Sequence, residues 1–505
     1  MNLRTFGVRL LVVAALLLGM MPAQALFAQD DGMAMPGEVV AEGLNGPMGI
    51  LIDPNGDIWV VDSGLGGGEE VDGMDFSGQP VTIQYGPTAR IVKISAADGV
   101  TVDVAALTSV SNGTENEGGS RLALLDGVLY ATGAGWHPAV VPATAEGPLP
   151  GTGSLWVVGA DGTVSEAAAI WQLERDNNPV SAEVDTHPYG LLAGPDGNLW
   201  VADAGMNALL KVDPATGASE IVATFDPIPG VFPNPNYDGE MLTDAVPTGV
   251  AVADGGVYVS FLSGGPFIPG SAKVVSVAED GAVSDFATGL TMLTDLRTGP
   301  DGALYATQFG MFTEQGPVPG SGAVLRIKEG DASEIVVPGL MFPTSIDFNT
   351  DGDAFVTVNG VGAPGSGQVV KFAGLTAMEG MPVAEAMAAM APPADAAAAE
   401  AAPTEEAMAE AAPTEEAMAE AAPTEEAMAE AAPTEEAMAE AAPTEEAMAE
   451  AAPTEEAMAE AAPAEQAPEK MPVTGADGGQ AGIVVVLLLV AALAGVVFFG
   501  RRQTA

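Results

Sequence analysis

Pro188-Tyr189-Gly190-Leu191-Leu192-Ala193-Gly194-Pro195-Asp196-Gly197-Asn198-Leu199-Trp200-Val201-Ala202-Asp203 is two short apolar runs joined by a Pro-Asp-Gly turn, and its parts recur along the chain. Asp-Gly between apolar runs is hairpin chemistry, because glycine takes the positive φ that a tight turn needs. The second run carries an aromatic residue at a fixed place in most units: Ile58-Trp59-Val60, Leu129-Tyr130-Ala131, Val257-Tyr258-Val259, Leu304-Tyr305-Ala306 and Ala354-Phe355-Val356. The first run often opens with Pro-x-Gly, as in Pro47-Met48-Gly49 and Pro247-Thr248-Gly249. A third apolar run follows each time, for example Ile91-Val92-Lys93-Ile94 and Val324-Leu325-Arg326-Ile327. A further turn and a fourth run then close the unit, as at Asp161-Gly162-Thr163-Val164.

Four short antiparallel strands, six times over residues 37–375, predict an all-β chain folded as a six-bladed β-propeller. The sixth unit ends at Phe372 with no fourth strand. Gly37-Glu38-Val39-Val40-Ala41-Glu42-Gly43-Leu44 matches the fourth strand of the fifth unit, Ser333-Glu334-Ile335-Val336-Val337-Pro338-Gly339-Leu340. The N-terminal strand is therefore predicted to complete the last blade, which closes the ring and removes an exposed sheet edge. The chain has no cysteine, so closure takes the place of disulfides.

Both ends read as addresses. Arg4 and Arg9, the apolar run Leu10 to Met20, and Ala23-Gln24-Ala25 fit a secretory signal peptide within residues 1–28. Residues 376–470 form a stalk in which Ala-Ala-Pro-Thr-Glu-Glu-Ala-Met-Ala-Glu repeats without change from 401 to 460. With no aromatics and a proline in every repeat, this acidic tract is expected to stay disordered and to act as a self-repelling spacer. Residues 471–505 hold Met471-Pro472-Val473-Thr474-Gly475, then an uncharged apolar run from 481 to 500, then Arg501-Arg502. A run of ~20 apolar residues suffices for one transmembrane helix, and the two arginines would stay on the cytoplasmic side. The pattern resembles the sorting signal of sortase-anchored wall proteins, with Met471 where that family has leucine. That resemblance implies sortase as a partner and cleavage between Thr474 and Gly475. A plain single-pass anchor reads the same run equally well. Either way the chain is expected to be secreted and held at the cell surface, with its N-terminus outside.

Of 505 residues, 69 are acidic and 15 basic, for a formal net charge of -54. Such a field repels phosphates, which argues against a nucleic-acid partner. The absence of cysteine removes thiolate metal sites and a catalytic cysteine, and only two histidines are present. No cofactor is called for, with one opening for Ca²⁺. Glu69, Glu70, Asp72 and Asp75 cluster in the long segment from Asp62 to Ala89, which reads as a loop between strands two and three. Clustered carboxylates suit Ca²⁺; a solvated acidic loop is the plainer reading. His187 stands just before an inner strand, and the aligned slots hold Gly46, Glu117, Val246, Met292 and Phe342. These should ring the mouth of the central channel. Glu117 and His187 are the ionisable pair among them, suited to general acid–base work or to a simple hydrogen bond.

Val40-Ala41-Glu42-Gly43-Leu44, Pro47-Met48-Gly49, Val60-Val61-Asp62-Ser63-Gly64 and Tyr85-Gly86-Pro87-Thr88-Ala89 together resemble the ScyD/ScyE family of secreted six-bladed propellers, a branch of the NHL-like repeats. That resemblance carries no catalytic residue. The stretch from Pro188 to Asp203 is also similar to streptogramin-lyase propellers, and a gluconolactonase-type propeller is a weaker reading, since the mouth residues are mostly apolar. Both would imply a divalent metal. The leading functional reading is a surface-anchored, non-catalytic propeller presenting a loop-rich face to an extracellular ligand or envelope component. The alternative is a secreted lyase or lactonase using His187, Glu117 and a divalent ion.

Overall fold

The structure is a computed structural model that describes residues 36–74, 79–113, 115–137, 147–178, 184–313 and 316–390. The signal-peptide segment, Asp75, the repeats of 401–460 and the whole of 471–505 lie outside the described residues. Among the described residues, no helix is long and apolar enough to cross a membrane.

The described chain is mostly antiparallel β-structure. Strands Pro188–Ala193, Leu199–Asp203, Ala208–Val212 and Ser219–Thr224 form one four-stranded sheet in sequence order, and five other sheets of four or more strands repeat the plan. We number the sheets one to six by their first strands, which begin at Pro47, Leu122, Pro188, Pro247, Leu293 and Ser345. Each first strand contacts the first strand of the next sheet, and the sixth returns to the first, so the sheets close a propeller-like ring. Six apolar clusters fill the spaces between consecutive sheets. In one, Ala123, Tyr130 and Leu155 of sheet two meet Leu191, Leu199 and Val201 of sheet three. In another, Leu44 and Val369 of sheet six meet Ile50, Val60 and Val92 of sheet one. Sheets covered on both faces explain why the strands read as nearly unbroken apolar runs rather than alternating ones.

The closing strand lies where the repeat placed it. Glu38–Leu44 pairs antiparallel with Gly367–Phe372, with Glu38 opposite Lys371 and Leu44 opposite Gly367. The Pro-x-Gly openings mark close approach between inner strands. A Cβ on Gly49 would stand 2.4 Å from the Ser120 carbonyl oxygen, and one on Gly249 2.3 Å from the Leu296 nitrogen. Only glycine leaves room there.

The recurring aromatic also has a physical cause. Trp59 pairs in register with Lys93, Trp200 with Lys211, Tyr305 with Arg326 and Phe355 with Lys371. The cations sit 4.9, 4.5, 5.5 and 5.6 Å from the ring centres. A turn carboxylate holds the base in three of the four: Lys93 with Asp57 at 2.6 Å, Lys211 with Asp196 at 3.1 Å and Lys371 with Asp353 at 2.7 Å. Each such partly exposed cation–π contact contributes ~0.5–1 kcal/mol.

Three hairpins stand outside the regular plan. The segment between Asp62 and Ala89, expected as a loop, is instead built as strand Glu69–Met74 pairing with an extended strand Pro80–Ile94. The β-branched run Val81-Thr82-Ile83 favours an extended strand and lets the ladder continue beyond the sheet. Ile228–Asn234 pairs with Glu240–Thr243 between sheets three and four, and Phe312–Thr313 with Gly316–Pro317 as a separate hairpin between the second and third strands of sheet five. Past residue 375 the order persists. Met381–Pro382 adds to the outer edge of sheet five, and helix Val383–Met390 follows, with Val383 buried.

Candidate functional site

The mouth of the ring is where the inner strands begin. Met48, Tyr189, Val246, Met292, Phe309 and Phe342 come from five sheets and form one apolar cluster there. Val246, Met292 and Phe342 hold positive φ values of 54°, 42° and 44°. A β-branched valine in that region is strained, and the packing of the cluster holds it. Three of the six aligned slots, Val246, Met292 and Phe342, thus lie in the apolar cluster at the mouth, and Gly46 does not. Glu117 and His187 supply the polar part.

Glu117 ends the short strand Asn116–Glu117, which pairs with Val110 and Ser111. His187 follows Thr186, which forms a bridge with Trp136. Both side chains converge on the bare face of Gly135. A Cβ there would lie 3.3 Å from His187 Nδ1 and 3.3 Å from Glu117 Oε2, so imidazole and carboxylate share one small space. His187 is buried, with its ring edge-on to Tyr189 at 5.5 Å. Burial pushes its pKa down, against the pull of the Glu117 carboxylate, which keeps the imidazole neutral near pH 7.

Further acids surround the pair, none of which stands out in the sequence. Asp203 is fully buried; its Oδ1 accepts from the His187 nitrogen at 2.8 Å and the Met206 nitrogen at 3.0 Å. It thereby fixes the backbone that carries His187. Its Oδ2 has no hydrogen-bond partner among the described residues. The matching residue in sheet one, Asp62, has Arg90 at 3.0 Å. The register partner of Asp203 is Ala208, where Asp62 has Arg90, so Asp203 lacks a counter-ion. Burial, and then the Glu174 carboxylate, hold its pKa well above the usual carboxylate range.

Glu174, buried on helix Ile170–Asn177, accepts from the Asp185 nitrogen at 2.9 Å and from the Thr186 hydroxyl. Burial raises its pKa as well. Asp185 is pushed up to about 7 by burial; His137 opposes the rise, while Glu174, Glu117 and Asp244 add to it. Glu115 is raised well above the usual range by burial and by Glu117. This corner therefore gathers buried acids with raised pKa values beside a histidine with a lowered one, a set suited to giving or taking protons. His137, which has no evident partner in the sequence, is electrostatically tied to Asp185 and Glu174.

Glu69, Glu70 and Asp72 lie on strand Glu69–Met74, and Asp75 lies outside the described residues. Period-two alternation puts Glu70 and Asp72 on one face and Glu69 on the other. Gln84 donates to Glu70 at 3.5 Å. The acidic side chains line a free strand edge, where charge discourages pairing with another chain. On the opposite side of the ring, a cavity of about 810 Å³ between sheets three and four is lined by Asp196, Trp200, Lys211, Glu220, Val257 and Gly281. His187 and Glu117 are not part of it.

Residues 191–363 match the family model described as SMP-30/Gluconolactonase/LRE-like region. No curated protein sequence matches the chain. Among solved structures the chain is similar to virginiamycin B lyase from Staphylococcus aureus, at 14% identity and a TM-score of 0.35, over 68% of this chain and 87% of that one. It is similar to a putative glucose dehydrogenase from Thermus thermophilus at 18% identity and a TM-score of 0.39, over 67% and 99%. A gluconolactonase from Xanthomonas campestris gives 11% and 0.38, over 66% and 88%. Likenesses this distant carry no argument about chemistry here.

A divalent ion, which the lactonase and lyase readings imply, does not fit the donors in place. Among the described residues, no three histidines or carboxylates are grouped to hold one. Both oxygens of Glu174 are already engaged by Asp185 and Thr186. The axis of the ring is filled by the side chain of Arg121, paired with Asp295 at 3.2 Å.

Proposed function

We propose that the chain is a six-bladed β-propeller of the ScyD/ScyE type, secreted and held at the cell surface by its C-terminal segment, and that the propeller is a non-catalytic binding module. One observation carries the reading: the ring axis is filled by the Arg121–Asp295 ion pair beneath an apolar cluster, while hairpins extend the loop-bearing face around it. A closed axis under a walled face suits recognition of an extracellular or envelope component better than turnover of a substrate in a channel. The hairpin of Ile228–Asn234 and Glu240–Thr243 exposes Val231, Phe232 and Met241, apolar contact surface beside the acidic corner. A second reading, acid–base catalysis by Glu117 and His187, draws on their shared space beside Gly135.

The test runs both readings side by side. The purified chain is assayed for saturable binding to isolated cell envelope, with and without Ca²⁺, and for turnover of lactone and cyclic-ester substrates. Binding that survives Glu117→Gln and His187→Gln, with no turnover, is the expected result. Turnover abolished by both substitutions would replace the binding-module reading with the enzyme.

A further inference from the structure

Sheet three passes from its first to its second strand through the turn Gly194 to Asn198, and sheet four through Asp254 and Gly255 alone. Asp254 and Gly255 have φ values of 49° and 79°, the paired positive values of a tight hairpin turn. Gly255 and Gly256 border the cavity of about 810 Å³ between the two sheets and put no side chain into it. A space of this size suits a small molecule, for which sites run roughly 300–1,000 Å³. Its walls are of two kinds. Ile221 and Val222 of sheet three, with Val252 and Val257 of sheet four, are half-buried apolar surface. The remainder is charged. Lys211 is the one base lining the cavity among the described residues, and it is already committed. Its Nζ stands 3.1 Å from Asp196 and 4.5 Å from the centre of the Trp200 ring. The Trp200 indole nitrogen donates to the same carboxylate at 3.1 Å. Asp280 Oδ1 accepts from the Ala282 nitrogen at 3.1 Å. Glu220 and Glu279 are exposed and, among the described residues, have no base in ion-pair contact.

Beyond the Asp196–Lys211 pair, the carboxylates of Glu220, Glu279 and Asp280 border the cavity with no cation to balance them. An anion is repelled from such a rim. A cation with an apolar body matches both surfaces, because the valines and isoleucine supply contact area and the rim selects the charge. We propose that this cleft is a binding site separate from the mouth of the ring, and that it takes a small organic cation. The apolar body of the ligand lies along Ile221, Val222, Val252 and Val257, and its ammonium or guanidinium group is drawn to the Glu220 and Glu279 carboxylates. The inference is independent of whether the mouth face binds or catalyses.

Dansylcadaverine, an aromatic body on an aliphatic primary amine, tests it through the fluorescence of the dansyl group. The whole chain at low ionic strength should bind the probe saturably, and added salt should weaken binding. The N-acetylated probe has the same body without the charge and should bind more weakly. Glu220→Gln/Glu279→Gln should weaken the amine roughly two- to thirtyfold, the range for two exposed carboxylates, and leave the acetylated probe unchanged. Val257→Trp fills the cavity and should abolish binding of both probes. Glu117→Gln and His187→Gln, at the mouth, should leave binding unchanged. The proposal is overturned if no saturable binding is seen, if the two probes bind equally, or if the glutamine pair binds the amine as the natural protein does. Loss of binding in Glu117→Gln or His187→Gln would place the probe at the mouth and overturn it too. If Val257→Trp does not fold, the glutamine pair and the acetylated probe decide the matter.

Discussion

Asp185→Asn should make the protein more stable above neutral pH while leaving it nearly unchanged below about pH 5. The Asp185 carboxyl sits at about 7, against an ordinary 3.8, because of burial and the carboxylates of Glu174, Glu117 and Asp244, partly offset by His137. The folded state therefore holds this proton more tightly than the unfolded chain does. The resulting stabilisation is complete below about pH 4 and is lost as pH rises to and past about 7. A rise of this size corresponds to ~4 kcal/mol at full value. Asp185 is half-buried, and solvent screening cuts this to ~1–2 kcal/mol. Asparagine is uncharged at every pH and keeps the shape. The unfolding free energy of Asp185→Asn, minus that of the natural protein, should grow from near zero at about pH 5 to ~1–2 kcal/mol at about pH 8. Urea titrations at several pH values read this difference directly. A difference that stays constant across the range would refute the account of Asp185 as an acid strained by ionisation.

Three other expectations come from the architecture. Deleting residues 30–44 strips the strand that pairs with Gly367–Phe372 and should lower the melting temperature of the whole domain; an unchanged melt would disprove closure by that strand. Gly49→Ala forces a Cβ to within 2.4 Å of the Ser120 carbonyl, and should cost ~2 kcal/mol or more in chemical denaturation; a cost below ~0.5 kcal/mol would show that the inner strands are free to separate. Removing residues 481–505 should release the protein into the medium, and Thr474→Ala should convert a wall-bound form into a detergent-extractable one; equal extraction of both forms would leave a plain transmembrane anchor.

The repeat, the hairpins and the closing strand were legible because each rests on local chemistry: an Asp-Gly turn, an apolar run, a glycine where strands touch. The Glu117 and His187 pairing was legible through alignment of the units, which put both at the same slot. The acids around them were not. Glu115, Glu174, Asp185, Asp203 and Asp244 lie on separate elements, and only the closed ring brings them to one corner. Asp203 carried one faint signal: its counterpart Asp62 has Arg90 across the strand, whereas Asp203 has Ala208. Arg121 was hidden for a different reason. A single arginine in Ser120-Arg121-Leu122 looks like any surface residue until the inner strand is known to face the axis. The lysines above the aromatics were visible at constant places in the third strands, but their purpose needed the strand register. The segment from Asp62 to Ala89 read as loop because its glycines and acids mask a period-two pattern.

Under the proposed C-terminal tether, the route by which the chain leaves the ring would carry the load. Arg326 donates to the carbonyls of Thr376 and Met378, both at 3.0 Å, and the Val383 nitrogen donates to the Ser333 carbonyl at 2.9 Å. A pull arriving through the residues after 390 meets these bonds and the short ladder of Met381–Pro382 first. They act as a strain relief: the load is taken by the outer edge of sheet five, one sheet away from the seam where the N-terminal strand closes the ring. Shear from flow or from a moving surface would thus fray the attachment before it could unzip the propeller.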